Sequence, residues 1–127
     1  MHTPPELTIT NEDNMTLMSR YPDDHFELAI VDPPYGLDFA KTYTGRTKKD
    51  RMGLRHTSKE WDEGVPKDDF FIELQRVSKN QIIWGGNYFP YLWKNGCKGF
   101  IFWHKGNPVP NFSDGELAWT SFNKVAM

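Results

Sequence analysis

The run Phe26–Val31, followed at once by Asp32-Pro33-Pro34, constrains the fold more than any other part of the sequence. The run becomes apolar toward its C-terminal end, as a buried strand does, and it stops where two prolines remove the N–H donors that a sheet ladder needs. The pattern therefore predicts a core strand with Asp32 at its carboxyl end. In α/β sheets, ligands collect at this end of the strands.

Helical and strand patterns alternate along the chain. Strands are predicted at 7–10, 26–31, 81–84, 99–103 and 116–122, and short helices at about 15–19 and 88–94. A longer helix begins at Pro66 and presents one apolar face, made of Phe70, Phe71, Leu74 and Val77. With 127 residues, this alternation predicts one α/β domain, or part of one, with a mostly parallel sheet and flanking helices.

The segment at about 36–66 shows neither helical nor strand periodicity and is predicted to be a mobile loop. Its middle, 41–59, is basic, with seven Lys or Arg against one acidic residue, although the whole chain carries a net charge of -2. The basic residues are Lys41, Arg46, Lys48, Lys49, Arg51, Arg55 and Lys59. Such a cluster is either a solvated loop or a surface that contacts nucleic-acid phosphates.

The run Asp32-Pro33-Pro34-Tyr35 has a chemistry that follows from its residue types. The prolines fix the backbone and leave the carbonyls of Asp32 and Pro33 without local N–H donors. A carboxylate and a fixed carbonyl can each accept one hydrogen of an exocyclic amine, which directs the nitrogen lone pair toward an electrophile, and Tyr35 offers a flat face for stacking on a planar ring. The plainer interpretation is an ordinary turn that ends a strand.

The same run resembles motif IV of the amino-group DNA methyltransferases, which use S-adenosylmethionine to methylate adenine N6 or cytosine N4. The resemblance extends over nearly the whole chain. The segments 11–15 and 21–24 are similar to the lead-in to that motif, and 70–89, 100–105 and 116–122 are similar to the elements that follow it in phage and prophage adenine methylases.

The resemblance implies that residues 1–127 form the catalytic part of a partial Rossmann-like methyltransferase fold. Asp32 and the Pro33 carbonyl would hold the adenine N6, and Tyr35, after Pro34, would stack on an extruded base. S-adenosylmethionine is the implied cofactor, with Asp13, Asp32, Gly85, Gly86 and Asn87 as its implied contacts. DNA is the implied partner of the basic residues of 41–59, and no metal is implied.

Asp at position 32 favours adenine N6 over cytosine N4 within the family, and cytosine N4 methylation stays an alternative. Because only 31 residues precede Asp32, the resemblance is to the circularly permuted subgroup, in which the catalytic half comes first. The glycine-rich cofactor loop expected after that half is not found after position 100. We therefore expect a truncated product or a second polypeptide that supplies the rest, with one central strand left as an unpaired edge. A non-catalytic remnant that binds DNA weakly through 41–59 is the other interpretation.

Other residues have two interpretations each. Gly85-Gly86 either lines the pocket or makes a plain tight turn. Trp84, Trp103 and Trp119 either stack on bases or fill the core, and His104 either transfers protons or is structural. A single cysteine, Cys97, and histidines without ligand spacing argue against a metal site. A cytoplasmic location is expected, because the sequence shows neither a signal peptide nor a membrane span.

Overall fold

The computed structural model describes residues 3–4, 6–36, 65–106 and 114–123. The chain has an α/β fold, as the alternation predicts. Within these ranges the helices are α1 (Asn14–Ser19) and α2 (Asp68–Val77), with two 3₁₀ turns at Gly86–Tyr88 and Pro90–Trp93. Its strands are β1 (Phe26–Val31), β2 (Ser78–Trp84), β3 (Phe100–His104) and β4 (Gly115–Thr120).

The four strands form one mixed sheet in the order β1-β2-β4-β3. β1 and β2 are parallel, whereas β4 is antiparallel to both of its neighbours. The expectation of a mostly parallel sheet is therefore wrong for the described strands. The physical reason is the short 105–114 connection, because a parallel return needs a crossover of roughly a dozen residues or more, usually a helix.

Two further predictions fail locally. Residues 7–10 form no strand, and Leu7 and Ile9 are exposed, so their alternation has no described neighbour to pack against. The helix expected at 88–94 is replaced by two 3₁₀ turns, because Pro90 lacks the N–H that a continuous helix would use. β2 also begins earlier than predicted, at Ser78, directly after α2.

The apolar core lies on one face of the sheet. Its buried members are Met18, Phe70, Phe71, Leu74, Val77, Ile83, Phe89, Leu92 and Trp119. The opposite face keeps large apolar side chains exposed: Leu28 at 42%, Ile30 at 61%, Ile101 at 39% and Trp103 at 53%. An α/β sheet normally has both faces covered, so the second face lacks a covering layer among the described residues.

Arg76 fastens α1 to α2. Its guanidinium donates to the carbonyls of Met18 and Tyr21, at 3.1 and 3.0 Å, and pairs with Glu73 and Asp23. The Met18 carbonyl lies in the last turn of α1, where it also accepts the Tyr21 N–H at 3.2 Å, and Tyr21 lies just beyond the helix. The contact fixes the position of α1 and of the chain entering β1. No helix in the described ranges is both long and apolar enough to span a membrane.

Asp13 is the N-cap of α1. Its Oδ2 accepts the backbone N–H of Thr16 at 2.9 Å and the Thr16 hydroxyl at 3.1 Å. We expect Asp13→Ala to lower the free energy of unfolding by about 1 kcal/mol, whereas Asp13→Asn keeps a capping oxygen and should cost only a few tenths. Urea unfolding of both variants checks this, and equal losses would contradict the capping role.

Candidate functional site

The turns after β1 and β2 lie side by side at the end of the sheet where these two strands finish. This end of the sheet is called the Asp32 edge. The strands pair in parallel with Val31 opposite Ile83, so Asp32 follows one strand where Gly85 soon follows the other. β4 begins and β3 ends at the same edge, and the Gly85 N–H donates to the carbonyl of Leu117. The described fold therefore brings together the two segments that the sequence singles out as site candidates.

Asp32 is held by Tyr35. The Tyr35 hydroxyl donates to Asp32 Oδ1 at 2.6 Å, a short bond of the kind that a charged acceptor favours. Asp32 is exposed, and its Oδ2 makes no hydrogen bond with any described residue. The Pro33 carbonyl likewise accepts no backbone hydrogen bond within the described ranges. Pro33 is buried, so the exposed acceptor group of this turn is the Asp32 carboxylate.

The ring of Tyr35 is packed closely on its neighbours. It stacks on Tyr88, with ring centroids 5.0 Å apart and an angle of 19° between the planes, and it meets Phe89 at 6.2 Å. Gly85 lies against the ring as well: a Cβ built there would be 2.0 Å from Tyr35 Cε1 and 2.5 and 2.6 Å from the two adjacent ring atoms. These distances place that Cβ over the ring face, so position 85 has no room for a side chain.

The environment keeps the Tyr35 phenol protonated. Partial burial and then the neighbouring carboxylate of Asp32, with a smaller contribution from Glu116, raise the pKa of Tyr35 well above its ordinary value. A phenolate would meet both negative charges in a poorly solvated position. Tyr35 is therefore a hydrogen-bond donor to Asp32 throughout the neutral range.

Three further side chains lie at this edge and were not predicted as site residues from the sequence: Glu116, Lys105 and Tyr88. Glu116 pairs with Lys105 at 2.8 Å, and both side chains are about a quarter exposed, at 28% and 26%. The backbone turns tightly at Gly85, which is left-handed with φ of 72°, and the Tyr88 N–H donates to the Gly85 carbonyl. This turn brings Tyr88 next to Tyr35. A glycine followed three residues later by an aromatic residue was the available signal for Tyr88.

The implied cofactor contacts divide into two groups. Gly85 and Gly86 are buried, and the space a side chain would take at Gly86 is filled by Trp119, 2.5 Å away from a built Cβ. Both glycines thus allow close packing of the protein's own side chains, as in the tight-turn interpretation. Asn87 and Asp13 are exposed, and Asp13 shares no hydrogen bond with the Asp32 turn in the described structure.

The remaining candidates are placed as follows. Trp119 is buried in the core, Trp84 is half-buried, and Trp103 and His104 are exposed on the edge strand β3. The predicted nucleic-acid contacts, Lys41, Arg46, Lys48, Lys49, Arg51 and Arg55, lie outside the described residues. The described ranges contain no cluster of three or more His, Cys, Asp or Glu arranged to hold a metal ion.

A cavity of about 390 Å³ lies at the opposite edge of the sheet, lined by residues that include Gln75, Gln81, Cys97 and Ser121. Of the sequence candidates, Trp119 lines it, and none of the residues of the Asp32 turn does. Asp32, at the other end of these strands, is exposed.

Comparison with known proteins finds no protein-family model and no curated protein sequence that matches this chain. The functional interpretation therefore depends on the geometry of the Asp32 edge and on the motif resemblance.

The contact between Gly85 and Tyr35 predicts a strong dependence on glycine. We expect Gly85→Ala to lower the free energy of unfolding by about 2–4 kcal/mol, from a left-handed backbone and from overlap with the Tyr35 ring. Gly96 is the matched control, because its φ is 74° but a Cβ there meets nothing within 4 Å. Gly96→Ala should cost only about 1–2 kcal/mol. Equal losses in urea unfolding would show that the ring contact is unimportant.

The raised pKa of Tyr35 predicts a change in stability at alkaline pH. A pKa raised in the folded state contributes stability that is fully present below the unfolded value, about 10 for tyrosine, and that is lost as pH rises through the folded value. Above about pH 10, the wild-type chain should thus lose stability more steeply than Tyr35→Phe. Urea midpoints measured across this range check the slope, and parallel curves would contradict the assignment.

Proposed function

We propose that this chain is the catalytic part of a DNA methyltransferase that transfers a methyl group from S-adenosylmethionine to adenine N6. The observation that carries the proposal is the Asp32 turn: Oδ1 accepts from Tyr35, while Oδ2 and the carbonyl of the buried Pro33 accept no hydrogen bond from a described residue. Two fixed acceptors at the carboxyl end of parallel strands suit an exocyclic amine.

The turn would act by positioning and electrostatics. Asp32 Oδ2 and the Pro33 carbonyl each accept one N6 hydrogen, which orients the nitrogen lone pair away from the turn. As the nitrogen is alkylated it becomes positive, and the carboxylate stabilises that charge more in the transition state than in the ground state. One of the two N6 protons then leaves to water, which gives the neutral methylamino product. Tyr35 keeps the carboxylate in place. S-adenosylmethionine supplies the electrophilic methyl group when it is bound.

The described residues can supply only some of the contacts that the resemblance implies for S-adenosylmethionine. Asn87 and Asp13 are exposed polar residues that can hold it, and Asp13 Oδ1 accepts no hydrogen bond from a described residue. The space at Gly85 and Gly86, however, is already taken by Tyr35 and Trp119. A further polypeptide segment would add contacts to the cofactor beyond those that Asn87 and Asp13 can offer. Support comes from the outer edge of β1, which pairs with no described strand and exposes Leu28 and Ile30. That segment would add a strand to β1 and cover the bare sheet face.

Adenine in a duplex would have to leave the base stack to reach Asp32. The basic segment 41–59 is proposed to contact the phosphates during that step, since it carries seven of the fifteen Lys and Arg. Asp at position 32 supports adenine over cytosine as the target.

Substitution of Asp32 tests the proposal. We expect Asp32→Ala to lower the rate of labelled methyl transfer to unmethylated DNA by at least about 100-fold, because an oriented electrostatic group is lost. Asp69→Asn is the matched control: Asp69 is an exposed carboxylate in the first turn of α2, and its loss should leave the rate within about twofold. Calorimetric titration with S-adenosylmethionine, run on both variants, separates cofactor binding from transfer.

A non-catalytic DNA-binding protein is the second candidate, and the filled space at Gly85 and Gly86 favours it. Such a protein would show neither cofactor binding nor transfer. It would also bind all DNA sequences alike, with an affinity that falls steeply as salt is raised. A preferred sequence and transfer that depends on Asp32 would exclude it.

A further inference from the structure

The stack between Tyr35 and Tyr88 has a consequence for any base that uses Tyr35 as a platform. Tyr88 is half-buried, and its backbone is fixed between the Gly85 carbonyl, which accepts its N–H, and Phe89, which is 1% exposed. The ring of Tyr88 can turn about its own side-chain bonds, but the chain that carries it is anchored in the core.

The two rings leave no room for a third between them. Their centroids are 5.0 Å apart, whereas a planar base inserted between two rings needs about 7 Å, twice the contact distance of carbon atoms. A base that stacks on this face of Tyr35 must therefore replace Tyr88. Tyr35 is less free to move than Tyr88, because its hydroxyl donates a hydrogen bond to Asp32 and its ring lies against Gly85.

We propose that Tyr88 competes with the substrate base for the ring face of Tyr35, so that the base enters by exchange with the Tyr88 ring. This inference rests on the proposed function, because it takes a nucleobase as the ligand. Tyr88 is then a specificity-determining residue. A base that stacks more strongly on Tyr35 displaces the phenol more readily, and the larger ring system of a purine does so better than that of a pyrimidine.

Binding of a fluorescent purine tests the exchange. The probe is a single-stranded thymidine oligonucleotide with one 2-aminopurine, whose emission reports stacking and which needs no base extrusion. Removal of the competing ring in Tyr88→Ala should tighten binding of the full chain about fivefold, which is about 1 kcal/mol at 1.4 kcal/mol per factor of ten. Tyr88→Trp, with a larger competing ring, should weaken it by a similar factor.

Tyr91 provides the matched control, because it stacks on Phe71 in the same way, at 5.6 Å and 13°, away from Asp32. Tyr91→Ala should leave binding within about twofold of wild type. Unchanged or weaker binding by a folded Tyr88→Ala, equal tightening by Tyr91→Ala, or no stacking signal in any variant would each overturn the proposal. If Tyr88→Ala does not fold, Tyr88→Trp decides, and unchanged or tighter binding by it is the contradicting result.

The test is independent of catalysis, because it needs no methyl donor. If probe binding changes as expected in the Tyr88 variants but no variant transfers methyl groups, the methyltransferase assignment fails and the exchange stands. If methyl transfer depends on Asp32 but probe binding is the same in the Tyr88 variants as in wild type, the assignment stands and the exchange fails.

Discussion

Parallel pairing of β1 with β2 is the constraint on which the candidate site depends. With Val31 opposite Ile83, the turns that leave both strands reach the same edge of the sheet. One turn contributes a carboxylate made rigid by two prolines, and the other contributes a left-handed glycine against which Tyr35 can lie. Without this pairing, the hydrogen bond from Tyr35 to Asp32 would have no support from the rest of the fold.

Local sequence signals predicted the elements that are fixed by local chemistry. β1 was predicted with its observed bounds, because its apolar end and the two prolines are both readable in the sequence. The apolar face predicted for α2 is buried. The two turns were predicted at strand ends, which is where the structure has them.

Features that depend on contacts between distant parts of the chain were harder to predict from the sequence. The direction of β4 depends on which strand it pairs with, and its own residues do not encode that choice, so a mostly parallel sheet was predicted where a mixed one forms. The packing of Tyr35 was not predicted either. Sequence reasoning gave it a free face for a base, whereas the structure stacks it on Tyr88 and uses its hydroxyl to hold Asp32. Such contacts arise only when two distant turns meet.

The most direct test of the methyltransferase assignment is to identify the modified nucleoside. The chain would be incubated with S-adenosylmethionine carrying a labelled methyl group and with unmethylated DNA of mixed sequence. The DNA would then be digested to nucleosides and analysed by mass spectrometry. The account predicts label in N6-methyldeoxyadenosine, and none when Asp32 is replaced by alanine. Label in N4-methyldeoxycytidine would contradict the choice of adenine, and no label in a folded chain that binds DNA would contradict catalysis by this chain.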